Sequence, residues 1–375
     1  MGAGDGGAVE RRVNILLLDQ FSDPGGAQFC LRDLMPEMIR RGWKPRLMVP
    51  GGGELVQWSN RMGVPTCSLP LQRYSNGGKT ALDFLRFSVD VPRMAAAVRR
   101  AIRRECVDLV YVNGPRVLPA VLGVPCPVVF HAHNYIRARY GRKLLQWMVK
   151  AASATVIAAS RYVAEGYVRA LGSEKVRVVY NGIRDMRDMP RTFDRRPARV
   201  GMIGRIEPEK GQIDLLRAAR YIAEKGGEAE FFVYGAKLYA DSGYEARVRT
   251  VAENAGVNLC GWTDDVSRAL HNLEILAVPS GPGEAATRVI MEAFSAGTPV
   301  VAYRAGGIPE LIENGRTGIL TETHDSESLA RSIRTLMGDR ASMERLSAAG
   351  RGEWQRRFTV ERFRTNVCDL LESCA

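Results

Sequence analysis

The strongest constraint on this chain is an alternation that persists from one end to the other. Short runs of β-branched and apolar residues are separated by longer stretches of helical periodicity. In the first half, the runs at residues 13–18, 45–49, 108–112, 127–131, 154–158 and 176–180 are strand candidates. Several are almost wholly apolar, as strands must be when helices cover both faces of a sheet. Between them lie stretches such as residues 27–41, where Leu31, Leu34, Met35 and Met38 recur at helical spacing. Such a chain builds a parallel sheet wrapped by helices.

The rhythm breaks once. Residues 185–199 are polar and basic with two prolines, Pro190 and Pro197, and form a candidate linker. The alternation then restarts, with strand candidates at 200–203, 230–234, 257–260, 273–278 and 299–302. The expected architecture is α/β, with two Rossmann-like domains. Residues 1–12 are a flexible tail, residues 13–184 the first domain and residues 200–355 the second. A final helix near 360–372 can belong to either half.

Composition removes several function classes. A hydrophobic fraction of 46% and a charged fraction of 25% are ordinary globular values. No apolar run is long enough to span a bilayer. Residues 1–12 lack the apolar middle of a secretory signal, so a cytoplasmic enzyme is expected. The 7 cysteines are scattered and form no CxxC, which favours free thiols over disulfides or a zinc site. His131 and His133 have no Cys or carboxylate at ligand spacing, so no metal site is expected. Gly2, Gly4 and Gly7 spell GxGxxG, but before the first strand, where it cannot serve as a dinucleotide fingerprint.

The net charge of +12 suits anionic ligands: nucleotide phosphates, nucleic acid or acidic lipid. Nucleic acid ranks low, because no basic stretch interleaves with stacking aromatics. Residues 93–104 and 137–150 are basic amphipathic helices. A solvated face is the favoured reading of both. Peripheral membrane contact is the other.

Two constellations in the second half could carry chemistry. A strand at 200–203 leads into Gly204, Arg205 and, after Glu209, Lys210, before a helix from about Gln212. Gly204 permits a tight exit from the strand. Arg205 and Lys210 flank a strand-to-helix turn, where free N–H groups and the helix dipole favour an anion. The alternative is two surface cations in a loop. Further on, Glu284 follows the strand at 273–278, with Ala285, Ala286, Thr287 and Arg288 behind it and Glu292 one turn into a helix. The carboxyl edge of an open α/β sheet is where ligands bind, and a carboxylate can accept hydrogen bonds from two sugar hydroxyls. The plain alternatives are a solvated loop acid for Glu284 and an i,i+4 helix pair for Arg288 and Glu292.

In the first half, the strand at 13–18 leads to Gly25-Gly26-Ala27-Gln28 and a helix, and paired glycines let backbone approach a ligand closely. His133 follows the strand from Pro127 and could project into the same space. A packed histidine is the competing reading. No Asp-x-Asp of the kind used by metal-dependent sugar transferases occurs in the chain.

In this order and spacing, the motifs resemble those of the retaining family-4 glycosyltransferases with the GT-B architecture, over nearly the whole chain. The resemblance rests on Gly25-Gly26-Ala27-Gln28, with Gln28 where Glu is more usual. It rests also on His133, Asn181-Gly182, the Arg205/Lys210 pair, Glu284 and Glu292 in an E-x7-E spacing, and the run Ala296 to Ile312. It implies two parallel sheets facing each other across a cleft, with the acceptor on the first domain and the nucleotide-sugar on the second. Residues 356–375 would cross back to the first domain. Glu284 would hold donor sugar hydroxyls, Glu292 the ribose, and Arg205 with Lys210 the leaving diphosphate. His133 would contact the donor sugar, and Gly25, Gly26, Gly204, Ala286, Thr287 and Arg288 would complete the donor site. One departure is plain: Ala285, Ala286 and Thr287 stand where glycine, an aromatic and glycine are usual.

The expected activity is therefore retaining, metal-independent transfer of a hexosyl group, with no cofactor. A UDP-sugar is favoured as donor and a GDP-sugar stays open. The acceptor is a glycan, lipid, metabolite or natural-product aglycone, chosen by loops such as 71–81 and 135–142. An epimerase or phosphorylase on the same architecture, and a non-catalytic sugar-nucleotide-binding protein, are the competing functions.

Overall fold

The computed structural model describes residues 13–72, 81–136, 138–187, 190–236 and 242–375. The expected tail at 1–12, most of the 71–81 loop, Arg137 of the 135–142 loop and residues 188–189 of the linker lie outside these residues.

The first half contains β1 (Asn14–Leu18), α1 (Gly26–Arg40), β2 (Lys44–Val49), α2 (Glu54–Arg61), β3 (Thr66–Ser68) and α3 (Ala81–Arg104). It continues through β4 (Leu109–Val112), β5 (Val128–Ala132), α4 (Arg139–Ala151), β6 (Thr155–Ala158), α5 (Arg161–Leu171) and β7 (Val176–Val178). Its strands form one parallel sheet in the order β3-β2-β1-β4-β5-β6-β7. The second half contains β8 (Ala198–Ile203), α6 (Gln212–Glu224), β9 (Ala229–Tyr234), α7 (Ser242–Ala255), β10 (Asn258–Gly261) and α8 (Val266–His271). Then come β11 (Ile275–Val278), α9 (Arg288–Ala296), β12 (Val300–Tyr303), β13 (Ile319–Thr321), α10 (Ser326–Met337), α11 (Arg340–Arg357) and α12 (Val360–Cys374). Its parallel sheet runs β10-β9-β8-β11-β12-β13.

Each sheet reverses its winding once, between β1 and β4 in the first and between β8 and β11 in the second. At such a point the loops leaving adjacent strands diverge to opposite faces and open a crevice at the carboxyl edge. The expected strands form within a few residues of their anticipated limits. Two were not anticipated: β3 and β13, each three residues long and each at a sheet edge.

Each sheet buries both faces. In the first, Leu16, Val110, Val112 and Phe130 point into one core under α3 and α4, while Ile15, Leu17, Leu109 and Val129 point into another under α1. The alternation along a single strand assigns neighbours to opposite cores. The predicted stripe Leu31, Leu34, Met35 and Met38 is fully buried in the α1 core.

That second core contains residues from the far end of the chain. Phe363, Val367, Cys368 and Leu371 of α12 pack with Ile15, Leu17 and Leu31. Arg41 anchors the helix from outside, pairing with Asp369 at 2.6 Å and Glu372 at 3.1 Å. The chain thus crosses between the halves twice, and the two crossings touch. Ile183 N donates to Phe358 O at 2.8 Å and Val360 N to Ile183 O at 3.2 Å. The stretch expected to be a linker is pinned to the second half: Phe193 is buried there, and Arg191 donates to the carbonyls of Leu270, His271 and Leu273.

Candidate active site

In the second half, Gly204 ends β8 and a single 3-10 turn, Pro208–Lys210, precedes α6. Gly211 caps that helix at φ +75, and a Cβ there would lie 2.0 Å from the carbonyl oxygen of Pro279. Only glycine lets the turn lie this close to the loop after β11. The closeness has a chemical result. Lys210 Nζ donates to Glu284 Oε2 at 2.5 Å, with both side chains largely buried. The methylenes of Lys210 run alongside Gly204. Glu209 ties the same loops together, its carbonyl accepting from Gly281 N at 2.8 Å and its carboxylate from Gly283 N at 2.5 Å.

Arg205 sits differently. It is half-exposed and pairs with Glu207 at 3.0 Å. This exposure places Arg205 at the rim, whereas Lys210, the other member of the expected cation pair, lies inside against Glu284.

The loop carrying Glu284, Ala285, Ala286 and Thr287 is supported from behind by Ala305-Gly306-Gly307. Gly307 N donates to Glu284 O at 2.9 Å, and a Cβ on Gly307 would lie 1.9 Å from Ala285 O. Thr287 has φ −72 and ψ 100, so this position does not need the glycine that the resemblance led us to expect. Its Oγ1 is buried and makes no hydrogen bond among the described residues.

Arg288 and Glu292 were expected off the buried stripe of their helix. They are indeed one turn apart, 3.6 Å from each other, but neither is solvated: their side chains are 16% and 13% exposed. They are buried because α9 faces α1 of the other half. Arg288 Nη1 donates to Cys30 Sγ at 3.4 Å, its guanidinium lies 5.7 Å from the Phe29 ring centre, and its Cδ lies where a Cβ on Gly26 would almost touch it. Burial raises the Glu292 carboxyl above its ordinary range against the pull of Arg288. Burial alone would weaken the Arg288 charge, but Cys30 and Glu292 more than offset that and hold it firmly protonated.

Across the cleft, the carboxyl ends of β1, β4 and β5 supply Asp19, Asn113 and His133 in one connected set. Asp19 is buried and accepts from Phe21 N at 2.9 Å, Gln28 Nε2 at 2.9 and 3.0 Å, and Asn113 Nδ2 at 2.5 Å. Burial pushes its carboxyl up to about 7, while these donors pull the other way. Gln28, where the resemblance would have Glu, is the residue that can donate to a neighbouring carboxylate. Asn113 also donates to Ala27 O at 3.1 Å, so its amide nitrogen is committed and its Oδ1 must accept. His133 Nε2 lies 2.7 Å from that oxygen and therefore carries the proton. Burial, then the nearby Arg288 charge, lowers the His133 imidazolium to about 3, so the ring is neutral, with Nδ1 an acceptor that bonds to none of the described residues.

His131 is fully buried, its ring tilted against that of His133 with centres 3.9 Å apart, and it is bonded through Nδ1 to Tyr111 OH at 2.5 Å. Of the two histidines, His133 is the one at the cleft. Gly25 and Gly26 open α1 beside it.

The two halves are also joined by a contact that the sequence did not suggest. The Glu310 carboxylate sits on the N-terminus of α5, accepting from Arg161 N at 2.7 Å, Tyr162 N at 2.6 Å and Tyr180 OH at 2.9 Å. Tyr162 OH in turn donates to Pro282 O at 2.8 Å, in the loop leading to Glu284.

Comparison with known proteins finds glycosyltransferases over both halves. A model of the glycosyl transferases group 1 matches residues 197–339, and one of Glycosyltransferase Family 4 matches residues 24–187. A phosphatidyl-myo-inositol mannosyltransferase from Mycobacterium leprae is 25% identical over 97% of this chain and 97% of its own. The amylovoran biosynthesis glycosyltransferase AmsK from Erwinia amylovora is 27% identical over 54% of this chain and 52% of its own. Among solved structures, HepE from Anabaena, in complex with UDP and glucose, shares the fold with a TM-score of 0.80. It is 24% identical, and the match covers 96% of this chain and 100% of HepE.

Proposed function

The chain belongs to the family-4 glycosyltransferases of GT-B architecture, and from that premise we propose that it transfers a hexosyl group from a nucleoside-diphosphate donor, a UDP-sugar, with retention and without a metal. The first half is the acceptor domain and the second the donor domain in this reading. The observation that carries it is the Lys210–Glu284 pair, at the winding reversal of the second sheet.

Departure of the sugar places negative charge on the leaving diphosphate. Lys210, Arg205 and Arg288 are the cations that meet it, and Lys210 and Arg288 are already largely buried. The N–H groups of Ala286 and Thr287 bond to no protein oxygen among the described residues and are donors for the same phosphate. Glu284 accepts from sugar hydroxyls and Glu292 from the ribose. His133 accepts a sugar hydroxyl through Nδ1. Gly204 and the Gly25-Gly26 turn let backbone come close on either side. The C1–O bond to phosphate breaks while the acceptor oxygen bonds C1 on the same face, and the acceptor proton passes to the leaving phosphate oxygen. No side-chain base is needed.

UDP is supported as the donor nucleotide by the Anabaena structure, which holds UDP and glucose in the same architecture. The acceptor falls among lipids and glycans. The M. leprae relative is named for a lipid acceptor, and the Erwinia relative for amylovoran biosynthesis.

The test is a thermal-shift series with UDP, GDP, ADP, CDP and dTDP in EDTA, on wild type and Lys210→Ala. A ligand that binds only the folded state raises its stability. A shift with UDP alone, lost in the variant, is expected. A shift that requires Mg²⁺ overturns metal independence, and no shift with any diphosphate overturns the phosphate site. An epimerase would alter the donor with no acceptor present, which sugar analysis after incubation separates from transfer.

A further inference from the structure

Large apolar side chains exposed on the described surface concentrate on two helices of the first half. Phe84 and Leu85 on α3 are 66% and 63% exposed, and Tyr140, Leu144 and Trp147 on α4 are 89%, 56% and 59% exposed. Spacings of four and three residues put Tyr140, Leu144 and Trp147 on one outward ridge, opposite Leu145 and Val149, which are buried in the core. A soluble surface tolerates such residues singly, and a cluster marks an interaction site.

The charges around this ridge have one sign. α4 contains Arg139, Arg142, Lys143 and Lys150 and no acid. α3 contains two acids, Asp83 and Asp90, and both are buried, Asp90 accepting from Gln72 N at 2.9 Å and Gln72 Nε2 at 3.1 Å. Every exposed charge on the two helices is therefore positive, including Arg86 and Arg93. The solvated-face reading of the basic segments accounts for the cations and leaves the Tyr140–Trp147 ridge unexplained.

Position adds a third observation. α4 leaves the carboxyl edge of the sheet after β5, and α3 begins at that edge before running back to β4. Both helices start beside the edge that carries Asn113 and His133, so the ridge borders the mouth of the cleft.

We propose that this face docks on an anionic lipid bilayer, with Tyr140, Leu144 and Trp147 at the headgroup boundary and the cations on acidic headgroups. Aromatic residues with a polar end, beside Lys and Arg on a helix of high amphipathicity, are the side chains that an interface of this kind selects. Nucleic acid and an acidic protein satisfy the cations but not the apolar ridge. The docking does not depend on what the cleft transfers.

Flotation of the full chain with vesicles tests it, using phosphatidylcholine alone and phosphatidylcholine with phosphatidylglycerol. Binding to the anionic vesicles is expected, with little to the neutral ones, and weakening as salt shortens the screening length. Leu144→Ser with Trp147→Ser, and separately Lys143→Glu with Lys150→Glu, are each expected to lower the bound fraction at least about tenfold. Neither change is expected to alter the melting temperature or its shift with UDP, which shows that fold and nucleotide site survive. No flotation of wild type overturns the proposal. So does retention of binding in the serine variant, which assigns the surface to charge alone. A concentration-dependent dimer that both variants abolish, without vesicle binding, overturns it in favour of a second copy.

Discussion

Oδ1 of Asn113 lies 2.7 Å from Nε2 of His133, and because the Asn113 amide nitrogen already serves Asp19 and Ala27, that contact decides the tautomer of the histidine. His133 presents an acceptor to the cleft and nothing that can donate. His133→Ala is expected to lower kcat on the order of 10²-fold, the loss typical of one preorganised polar contact. Asn113→Ala acts through the ring and should lower kcat less, with little change in UDP affinity. Steady-state kinetics beside UDP titration separate the two effects. A fall in UDP affinity equal to the fall in kcat would place His133 on the nucleotide instead.

Lys210→Ala removes a charged contact to the leaving diphosphate. UDP binding should weaken by about 1.5–3 kcal/mol, the range for a hydrogen bond to a charged group, or roughly 10- to 150-fold in Kd. Glu284→Gln should leave UDP affinity near wild type and lower turnover, because the carboxylate serves the sugar. Calorimetric titration with UDP and with a UDP-sugar distinguishes them.

The two histidines set a pH dependence of stability. Burial lowers His133 to about 3, with help from Arg288, and lowers His131 well below the ordinary 6.5. In the unfolded chain both bind protons below about 6.5. The unfolded state then holds more protons than the folded state, so stability is full above that pH and declines as pH falls toward 3. Asp19 acts in the opposite sense. Its raised carboxyl contributes stability below its ordinary 3.8 that is lost as pH rises through about 7. Melting curves from pH 7 to pH 4 should decline less steeply for His133→Asn than for wild type, since the asparagine can still donate to Asn113. Parallel curves would assign the decline to other groups.

Much of this was legible in the sequence, for a physical reason. Strands buried on both faces must be apolar, and α1 must show its stripe, so the alternation and the break at 185–199 could be read directly. β3 and β13 could not, because short edge strands carry no such pattern. At the site, Lys210 and Glu284 were nominated separately, and folding puts them 2.5 Å apart across 74 residues of chain. Asp19 and Asn113 went unnoticed because their partnership exists only once β1 and β4 lie side by side. A polar residue closing each of two apolar strands was the available signal. Spacing gave Arg288 and Glu292 as a helix pair, but not that α1 would cover them.

The Glu310 carboxylate holds the halves together through backbone amides of α5, so Glu310→Gln keeps a weaker acceptor and Glu310→Ala removes it. Loss of such a cap costs about 0.5–2 kcal/mol. The alanine variant is expected to melt lower and to show a larger radius of gyration by small-angle scattering without UDP, with the glutamine variant in between. An unchanged radius in both would mean that Arg288 and the shared crossings hold the cleft unaided.

The return of α12 to the first half bears on the order of synthesis. Phe363, Val367, Cys368 and Leu371 leave the ribosome after every strand of both sheets, yet they complete the core around Ile15 and Leu17, which left it first. During translation the earlier half must wait, with the part of one sheet face that α1 does not cover left open, while the later half is made and folds. A chain stalled anywhere before residue 360 would display that apolar side, offering quality-control factors a mark of unfinished synthesis that a mature molecule never shows.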